Sequence, residues 1–158
     1  MKKFFPILLV LFAAFAATMM VSCSSDDDDD KVQEQEVSLS LEPNADLLDV
    51  LDLSVIYTDE NGKTQTEAVT GKYYKSFTVS KYPSSGSFSL KATAKTSFGK
   101  DHYTPNLKFE YRAGSHQESA TITSIGSIYT TTDLQKFVDQ VNKYKWTWNF
   151  LSGGSQKK

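Results

Sequence analysis

The side chains best suited to nucleophilic or metal chemistry are few in this chain of 158 residues. It has one cysteine, Cys23, and two histidines, His102 and His116. A catalytic zinc typically needs three protein ligands, and a nucleophilic triad needs three converging groups. The two histidines lie in separate turn-like segments, and no second thiol is present. We therefore predict no metal site, no cofactor and no catalytic site, and keep a hydrolase using His102 or His116 only as a third hypothesis.

Carboxylates cluster at two places. Residues 26–30 are five consecutive aspartates, and Asp59 and Glu60 adjoin in a turn. Calcium sites take oxygens from spaced positions of a loop that wraps one ion, which a consecutive run on a polar chain does not supply. Acids in a turn usually hydrogen-bond the backbone or water. We predict that neither group binds metal or catalyses a reaction.

The first 22 residues have the layout of a secretory signal. Lys2 and Lys3 precede an apolar run at 7–17, and Cys23 follows a short polar stretch. The lysines stay on the cytoplasmic side while the apolar run enters the bilayer, so the rest of the chain is exported. The alternative is that residues 4–21 form an uncleaved membrane anchor, because a spanning helix needs roughly 20 apolar residues.

The residues around the cysteine refine this prediction. Met20, Val21, Ser22 and Cys23 resemble the lipobox of bacterial lipoproteins, although Leu usually stands where this chain has Met20, and Gly or Ala where it has Ser22. The resemblance implies cleavage before Cys23 and lipidation of its thiol. The membrane is then a partner through the lipid on Cys23, and the exported domain has neither a disulfide nor a reactive thiol.

The aspartate run at 26–30 follows the cysteine directly. Packed like charges repel and favour an extended, disordered tether, and a solvated spacer is one interpretation. The run also resembles the surface-export signal of Bacteroidetes lipoproteins, except that Lys31 follows the acids instead of preceding them. That resemblance implies an outer-membrane location on the face turned to the cell exterior.

Size and charge set the domain organisation. Removing residues 1–22 changes the net charge from -2 to -4, since two lysines and no acid are lost. Basic residues are interspersed with acids, so we predict no nucleic-acid partner. The remainder suits a single core. The predicted divisions are a signal peptide at 1–22, a lipidated acidic tether at 23–34, a β-sandwich domain at 35–152 and a disordered tail at 153–158.

The domain itself has strand periodicity. Val37, Leu39 and Leu41 alternate with polar residues, and similar runs recur along the chain with turn residues between them. Residues 59–62, with an Asn-Gly pair that favours a tight primed turn, predict a hairpin. Seven to eight short antiparallel strands with polar outer faces predict a mainly β, immunoglobulin-like β-sandwich. Further alternation lies at 49–57, 73–79, 88–94, 107–111 and 120–124, with turns at 83–86, 99–106 and 114–117.

One C-terminal amphipathic helix is predicted, covering an open end or edge of the sandwich. Thr132 and Gln135 fit a capping box at its start. Residues 145–151 then predict a strand that alternates Trp146, Trp148 and Phe150 with polar residues. These aromatics predict core packing, with a sugar-stacking platform as the alternative. The apolar face of the helix comprises Leu134, Phe137, Val138, Val141 and Tyr144.

Three loop aromatics, Tyr82, Phe98 and Tyr103, are the candidate ligand-binding residues, because loops on a rigid scaffold often carry function. The whole layout resembles small Bacteroidetes surface lipoproteins with an immunoglobulin-like sandwich, on the strength of residues 20–31 and the hairpin at 57–63. The resemblance supplies no activity. We predict a noncatalytic binding or accessory module for a glycan or another envelope protein; the alternative is a structural or assembly subunit that pairs through a sheet edge.

Overall fold

The computed structural model describes residues 34–95 and 99–151. Within these ranges the chain is mainly β. The elements follow in the order β1 (Gln35–Pro43), α1 (Ala45–Val50), β2 (Leu51–Thr58), β3 (Thr64–Val69), β4 (Tyr73–Val79), β5 (Ser84–Ala94), β6 (Asn106–Ala113), β7 (His116–Thr123), α2 (Thr131–Val141) and β8 (Lys145–Phe150).

The strands form two antiparallel sheets of four. Sheet A has the order β4-β1-β6-β7 and sheet B the order β3-β2-β5-β8. The alternating residues of each sheet that point inward make one apolar core. Burial of each large apolar side chain contributes about 1.5–3 kcal/mol, which stabilises the sandwich without a disulfide. The predicted mainly β, antiparallel sandwich is confirmed.

The alternation of apolar and polar residues along the sequence correctly predicted which residues of the strands face the core. Val37, Leu39 and Leu41 of β1 are fully buried, and β2 alternates in the same way from its first residue to Tyr57. In β8, Trp146 and Trp148 are each only 4% exposed. The core interpretation of these tryptophans is therefore confirmed.

A short helix, α1, lies where a strand was predicted to begin at residue 49. Asn44 caps it, since the Leu47 N–H donates to Asn44 Oδ1 at 2.9 Å. Leu47 and Val50 are buried, and β2 begins only at Leu51. Six residues are too few for a helical period to emerge from the sequence, so the predicted strand start was wrong.

The C-terminal helix α2 is confirmed, but its cap is Thr130 and not Thr132. The Asp133 N–H donates to Thr130 Oγ1 at 3.1 Å, and the Thr130 hydroxyl donates to Asp133 Oδ2 at 2.8 Å. Three consecutive threonines can each cap a helix. Thr130 is the one that places an acid, Asp133, at the third helical position, where it also favours the helix dipole.

Helix α2 covers the part of β5 that β8 does not reach. Strand β8 pairs with β5 up to Ser89 opposite Lys145, and one more backbone bond joins the Leu90 N–H to the Tyr144 carbonyl at 3.2 Å. Beyond that point the Asn142 side-chain amide replaces a strand, because the Ala92 N–H donates to Asn142 Oδ1 at 2.7 Å and Asn142 Nδ2 donates to the Ala92 carbonyl at 3.1 Å. The expectation that the helix covers an edge is met in this way.

Strand β5 begins at Ser84, inside the segment predicted as a turn at 83–86. Gly86 pairs with Trp148 of β8, and a Cβ at Gly86 would collide with the Trp148 ring. Glycine is needed here for a close approach within a strand and not for a turn. That part of the predicted turn was wrong.

The predicted hairpin between β2 and β3 is confirmed. Its loop covers residues 59–63, closed by the Asp59 N–H donating to the Lys63 carbonyl at 2.9 Å. The Gly62 N–H donates to the Asp59 carbonyl at 2.9 Å, and Gly62 has φ 75°. A left-handed glycine at the fourth turn position matches a turn with a bulge and not the two-residue primed turn that Asn-Gly suggested.

The two ends of the sandwich carry different loops. The near end is where β1 begins, and it includes the loops at 59–63, 80–83 and 114–115. The far end is where β1 finishes, and it includes α1 with the loops at 70–72 and 124–130.

Candidate functional site

Tyr103, a candidate ligand residue, is buried at the far end with 2% of its surface exposed. Its backbone pairs with Ile128. Its hydroxyl accepts from the Gly99 N–H at 2.7 Å and the Lys100 N–H at 3.0 Å. A ring enclosed in this way has no free face for stacking on a ligand. Tyr103 joins two far-end loops.

Tyr82 lies at the other end of the molecule. It is partly buried against the core, precedes the cis peptide to Pro83, and donates its hydroxyl to the Val79 carbonyl at 3.0 Å. Tyr82 and Tyr103 are separated by the length of β1, roughly 25 Å or more at 3.3 Å per residue. They do not form one site. Phe98 and Cys23 lie outside the described residues.

The two histidines are also far apart. His102 lies before β6 at the far end, whereas His116 opposes Ala113 at the near end. Both histidines are exposed, and each lies beside an aromatic ring. The distance between ring centroids is 5.8 Å for His102 and Tyr129 and 6.0 Å for His116 and Tyr111. Within the described ranges, no three His, Cys, Asp or Glu side chains are grouped so as to hold a metal ion.

The Asp59 carboxylate organises the hairpin. Oδ1 accepts from the N–H groups of Asn61 at 3.0 Å and Lys63 at 2.8 Å, and Oδ2 accepts from Gln65 Nε2 at 2.8 Å. The hydrogen bond from Gln65 and those from the backbone lower the pKa of Asp59. Its oxygens are occupied within the turn.

A polar cluster joins the edges of the two sheets on the flank formed by β3 and β4. Glu67 Oε1 accepts from the Tyr57 hydroxyl at 2.6 Å and Lys75 Nζ at 2.8 Å, and Oε2 accepts from the Tyr73 hydroxyl at 2.9 Å. The Lys75 hydrogen bond is the main cause of the lowered pKa of Glu67, while burial raises the pKa of Tyr73. We call these four residues the Glu67 cluster; its carboxylate is fully engaged in bridging the sheets.

The outward face of sheet A carries two shallow depressions of about 370 and 310 Å³. Ser40 and Glu110 line both, so the depressions form one continuous surface across the four strands. We name it the outer trough and define it by its outward-facing residues. These are Glu36, Ser38, Ser40, Glu42, Tyr74, Lys108, Glu110, Arg112, Ser119 and Thr121.

One row of the sheet register crosses the middle of the outer trough. Tyr74 opposes Ser40, Ser40 opposes Glu110, and Glu110 opposes Ser119. Three gaps between strands make this row about 14 Å long. The small Ser40 therefore forms a floor between two larger side chains, and Tyr74 is 66% exposed at one end.

The outer trough has charges of both signs, and two of its carboxylates, Glu110 and Glu42, are already paired. Glu110 accepts from Arg112 Nε at 2.8 Å and from Gln117 Nε2 at 3.2 Å, and Glu42 pairs with Lys72 at 2.8 Å. Such exposed ion pairs contribute little to stability and exchange readily with water. The outer trough can therefore offer donors and acceptors to a polar, uncharged ligand without a large desolvation cost.

A second exposed surface lies at the far end. Ile125 is fully exposed between β7 and α2, and Tyr129 is 66% exposed next to His102. Ile125 also lines a depression of about 230 Å³, whose apolar lining includes Ile128 and Phe137. We name Ile125, Tyr129 and His102 the far-end patch; it is small and partly apolar.

Sequence reasoning missed both surfaces. Tyr73 and Phe77 of β4 face the core, so Tyr74 lies on the outward face of the strand, whose other residues are polar. An aromatic residue at such a position was the sequence signal that could have indicated the outer trough. The other trough residues come from strands far apart in sequence.

Comparison with known proteins adds no relative. No protein-family model matches the chain, and neither a curated protein nor a solved structure is significantly similar to it. Among the described residues no helix is both long and apolar enough to cross a membrane.

Proposed function

We propose that this chain is a noncatalytic, lipid-anchored module of the cell surface that binds a neutral glycan in the outer trough. The observation that carries the proposal is the exposed Tyr74, aligned in one row with Ser40, Glu110 and Ser119. A tyrosine combines an apolar ring, suited to the flat face of a sugar, with a polar tip. Serine hydroxyls and a carboxylate supply both kinds of hydrogen-bonding partner for sugar hydroxyls.

The shape and charge of the outer trough support a polymer over a small molecule. Small-molecule sites are usually concave and mostly apolar, while this surface is open, shallow and polar. Its length of about 14 Å suits an extended chain that lies across the strands. The paired charges at Glu110 and Glu42 favour an uncharged ligand over an ionic one.

The anchor and the outward location rest on the sequence. Cys23 ends a lipobox-like segment and residues 26–30 form the acidic run that resembles a Bacteroidetes surface-export signal. A surface lipoprotein meets extracellular polysaccharide directly, so the proposed location and ligand agree. Residues 23–34 act as the tether of a domain that extends to residue 152.

The absence of catalysis belongs to the same proposal. His102 and His116 are at opposite ends of β6, and the carboxylates of Asp59 and Glu67 are each held by three hydrogen bonds from protein groups. A hydrolase would need an acid and a base converging on one open site.

An immunoglobulin-like relationship is also part of the proposal. In that fold strand E pairs with B, and strands G, F, C and C′ form the other sheet. Taking β1 as B and β4 as E gives the first pair, and β8-β5-β2-β3 has the order G-F-C-C′. The β6–β7 hairpin and α2 are then an insertion between F and G, with β6 beside β1 in the place of strand A.

An experiment on whole cells tests the anchor and the site together. Intact Bacteroidetes cells expressing the full chain are stained with an antibody to the domain and with labelled neutral polysaccharides, such as a glucan, a xylan and a mannan. We expect both labels on the natural chain. Cys23→Ser loses both, because the protein is no longer held at the surface.

The matched pair for the site is Tyr74→Ala and Tyr129→Ala, since both tyrosines are 66% exposed. We expect Tyr74→Ala to keep antibody staining and lose at least about tenfold in polysaccharide binding, the loss of one stacking contact. Tyr129→Ala keeps both signals. Equal polysaccharide binding by the natural chain and Tyr74→Ala would contradict the proposed site.

The second candidate function is binding of an envelope protein at the far-end patch. The observation that favours this alternative is the fully exposed Ile125, which lines a depression and shares its loop with the exposed Tyr129, since exposed apolar side chains next to a depression are typical of protein contacts. It predicts that Tyr129→Ala, and not Tyr74→Ala, abolishes crosslinking to a surface partner.

A further inference from the structure

Strand β7 is an edge strand of sheet A with little of the usual protection, since its one inward-pointing charge, Glu118, is exposed to solvent. Seven of its eight residues are exposed, and only Ile122 is buried. Both its outward residues and its inward ones from His116 to Ala120 meet solvent, so this part of the strand extends beyond the cover of sheet B. Its sequence, HQESATIT, has no Lys, Arg or Pro.

The other edge strands differ. Strand β4 carries the inward-pointing Lys75, β8 begins with Lys145, and β3 has only six residues, one of them the bridging Glu67. Inward charges, lysines and short length are the devices that keep sheet edges from pairing. Within the described ranges β7 is the longest edge strand, and it has no lysine, arginine or proline.

The free backbone groups of β7 can be assigned from the register. The Gly114 N–H donates to the Glu36 carbonyl of β1, so the even-numbered residues of β6 bond to β1 and the odd-numbered ones bond to β7. Their partners in β7 are the even-numbered residues, from His116 opposite Ala113 onward. The N–H and C=O groups of Gln117, Ser119, Thr121 and Thr123 therefore point away from the sheet, without a hydrogen-bonding partner among the described residues.

We propose that β7 pairs antiparallel with β7 of a second copy of this chain, joining two A sheets into one sheet of eight strands. The four residues with unpaired backbone groups are arranged symmetrically about Ala120. A two-fold axis through Ala120 matches Gln117 with Thr123 and Ser119 with Thr121, and satisfies all four residues of each copy. No other symmetric register between directly opposed residues pairs all four. The proposal goes beyond glycan binding and does not depend on it.

The side chains in this register are compatible with self-pairing. On the outward face only uncharged residues meet. On the inward face Glu118 opposes Ile122, and Ala120 opposes its own copy. The two Glu118 carboxylates are about 14 Å apart along the strands, beyond the screening length at physiological salt. No like charges therefore face each other, which is the condition that a self-complementary edge must meet.

Disulfide trapping tests the register. Directly opposed residues of this kind have Cα atoms about 4.5 Å apart, within the range of a disulfide. We expect Ala120→Cys, in the full chain in detergent, to give a covalent dimer on mild oxidation. The control Glu118→Cys lies on the same face of the same strand but about 14 Å from its copy, and should give at least about tenfold less dimer. Cys23 is present in both variants, so its contribution cancels.

Charge exchange tests the pairing itself. The natural chain should have a dimer mass by light scattering at about 0.1 mM, while Ala120→Lys and Ala120→Glu alone should be monomers, with dissociation constants raised at least about tenfold. An equimolar mixture of the two variants should recover the dimer. A monomer mass for the natural chain, an unchanged dimer in Ala120→Lys, or equal trapping of the two cysteine variants would overturn the proposal.

Discussion

The two flanks of the sandwich complete their hydrogen bonding in different ways. On the β3–β4 flank, the Glu67 cluster joins the sheets through side chains alone. On the opposite flank, β8 ends its pairing at Lys145, and the amide of Asn142 continues the ladder by bonding both backbone groups of Ala92. The first device joins two sheets, and the second replaces a missing strand.

The two flanks differ in which groups lose a hydrogen-bonding partner when the Glu67 or the Asn142 side chain is removed. Glu67 is partly exposed, so water can replace some of its hydrogen bonds, although the Tyr57 hydroxyl lies on a side chain that is almost fully buried. Ala92 is buried, and its N–H and C=O are fixed in the strand, so they cannot turn to a new partner when the exposed Asn142 is shortened. The neutral amide should therefore contribute more to stability than the charged cluster.

The largest effect is expected from Asn142→Ala. The change leaves the Ala92 N–H and C=O without partners, and the free energy of unfolding should fall by about 2 kcal/mol. Urea denaturation of the full chain measures it. Lys143→Ala, an exposed change at the next residue, should stay within about 0.5 kcal/mol of the natural chain. Equal stabilities for the two variants would show that the amide does not act as a strand.

A smaller loss is expected from Glu67→Ala. The Tyr57 hydroxyl then lacks its acceptor, but water reaches Tyr73 and Lys75, so the free energy of unfolding should fall by about 1 kcal/mol. The matched control is Glu60→Ala, which removes an acid from the neighbouring hairpin without touching the other sheet. A loss larger than that of Asn142→Ala would reverse the ranking of the two flanks.

The smallest effect is a difference in pH dependence. The pKa of Glu67 is lowered in the folded protein, chiefly by the hydrogen bond from Lys75. A depressed carboxylate pKa stabilises the fold above the unfolded value near 4.5, and this contribution is lost as the pH falls through the folded pKa. The stability difference between the natural chain and Glu67→Ala should shrink as the pH falls from 6 to about 3.

The same titration of Asn142→Ala provides the control. An amide does not ionise in this range, so its stability difference should not change with pH. Other carboxylates titrate equally in variant and natural chain, and their contributions cancel. A pH-independent difference for Glu67→Ala would mean that its charge plays no part in joining the flank.

The sandwich was predictable because its cause is local. Residues such as Val37 and Leu39 alternate with polar ones, and burial of one face fixes that period wherever a strand forms. Features that depend on a contact with a residue distant in the sequence were not predictable. Gly86 resembles a turn residue until Trp148 lies against it, and Asn142 resembles a helix end until Ala92 is placed beside it.

The candidate site was the least predictable part for the same reason. The outer trough takes residues from β1, β4, β6 and β7, and only the register brings Tyr74, Ser40 and Glu110 into one row. Loop aromatics were the natural candidates from sequence. Tyr103 instead packs at the far end and Tyr82 at the near end, since an aromatic in a loop can bury its ring by folding back.

The central place of β1 has a mechanical consequence. Strand β1 begins at the near end and pairs along its length with β4 on one side and β6 on the other. Hydrogen bonds between strands run across the strand direction, so tension applied through Gln35 loads both ladders in shear, many bonds at once. A pulling force on Gln35 would thus act against the part of the molecule best arranged to resist extension.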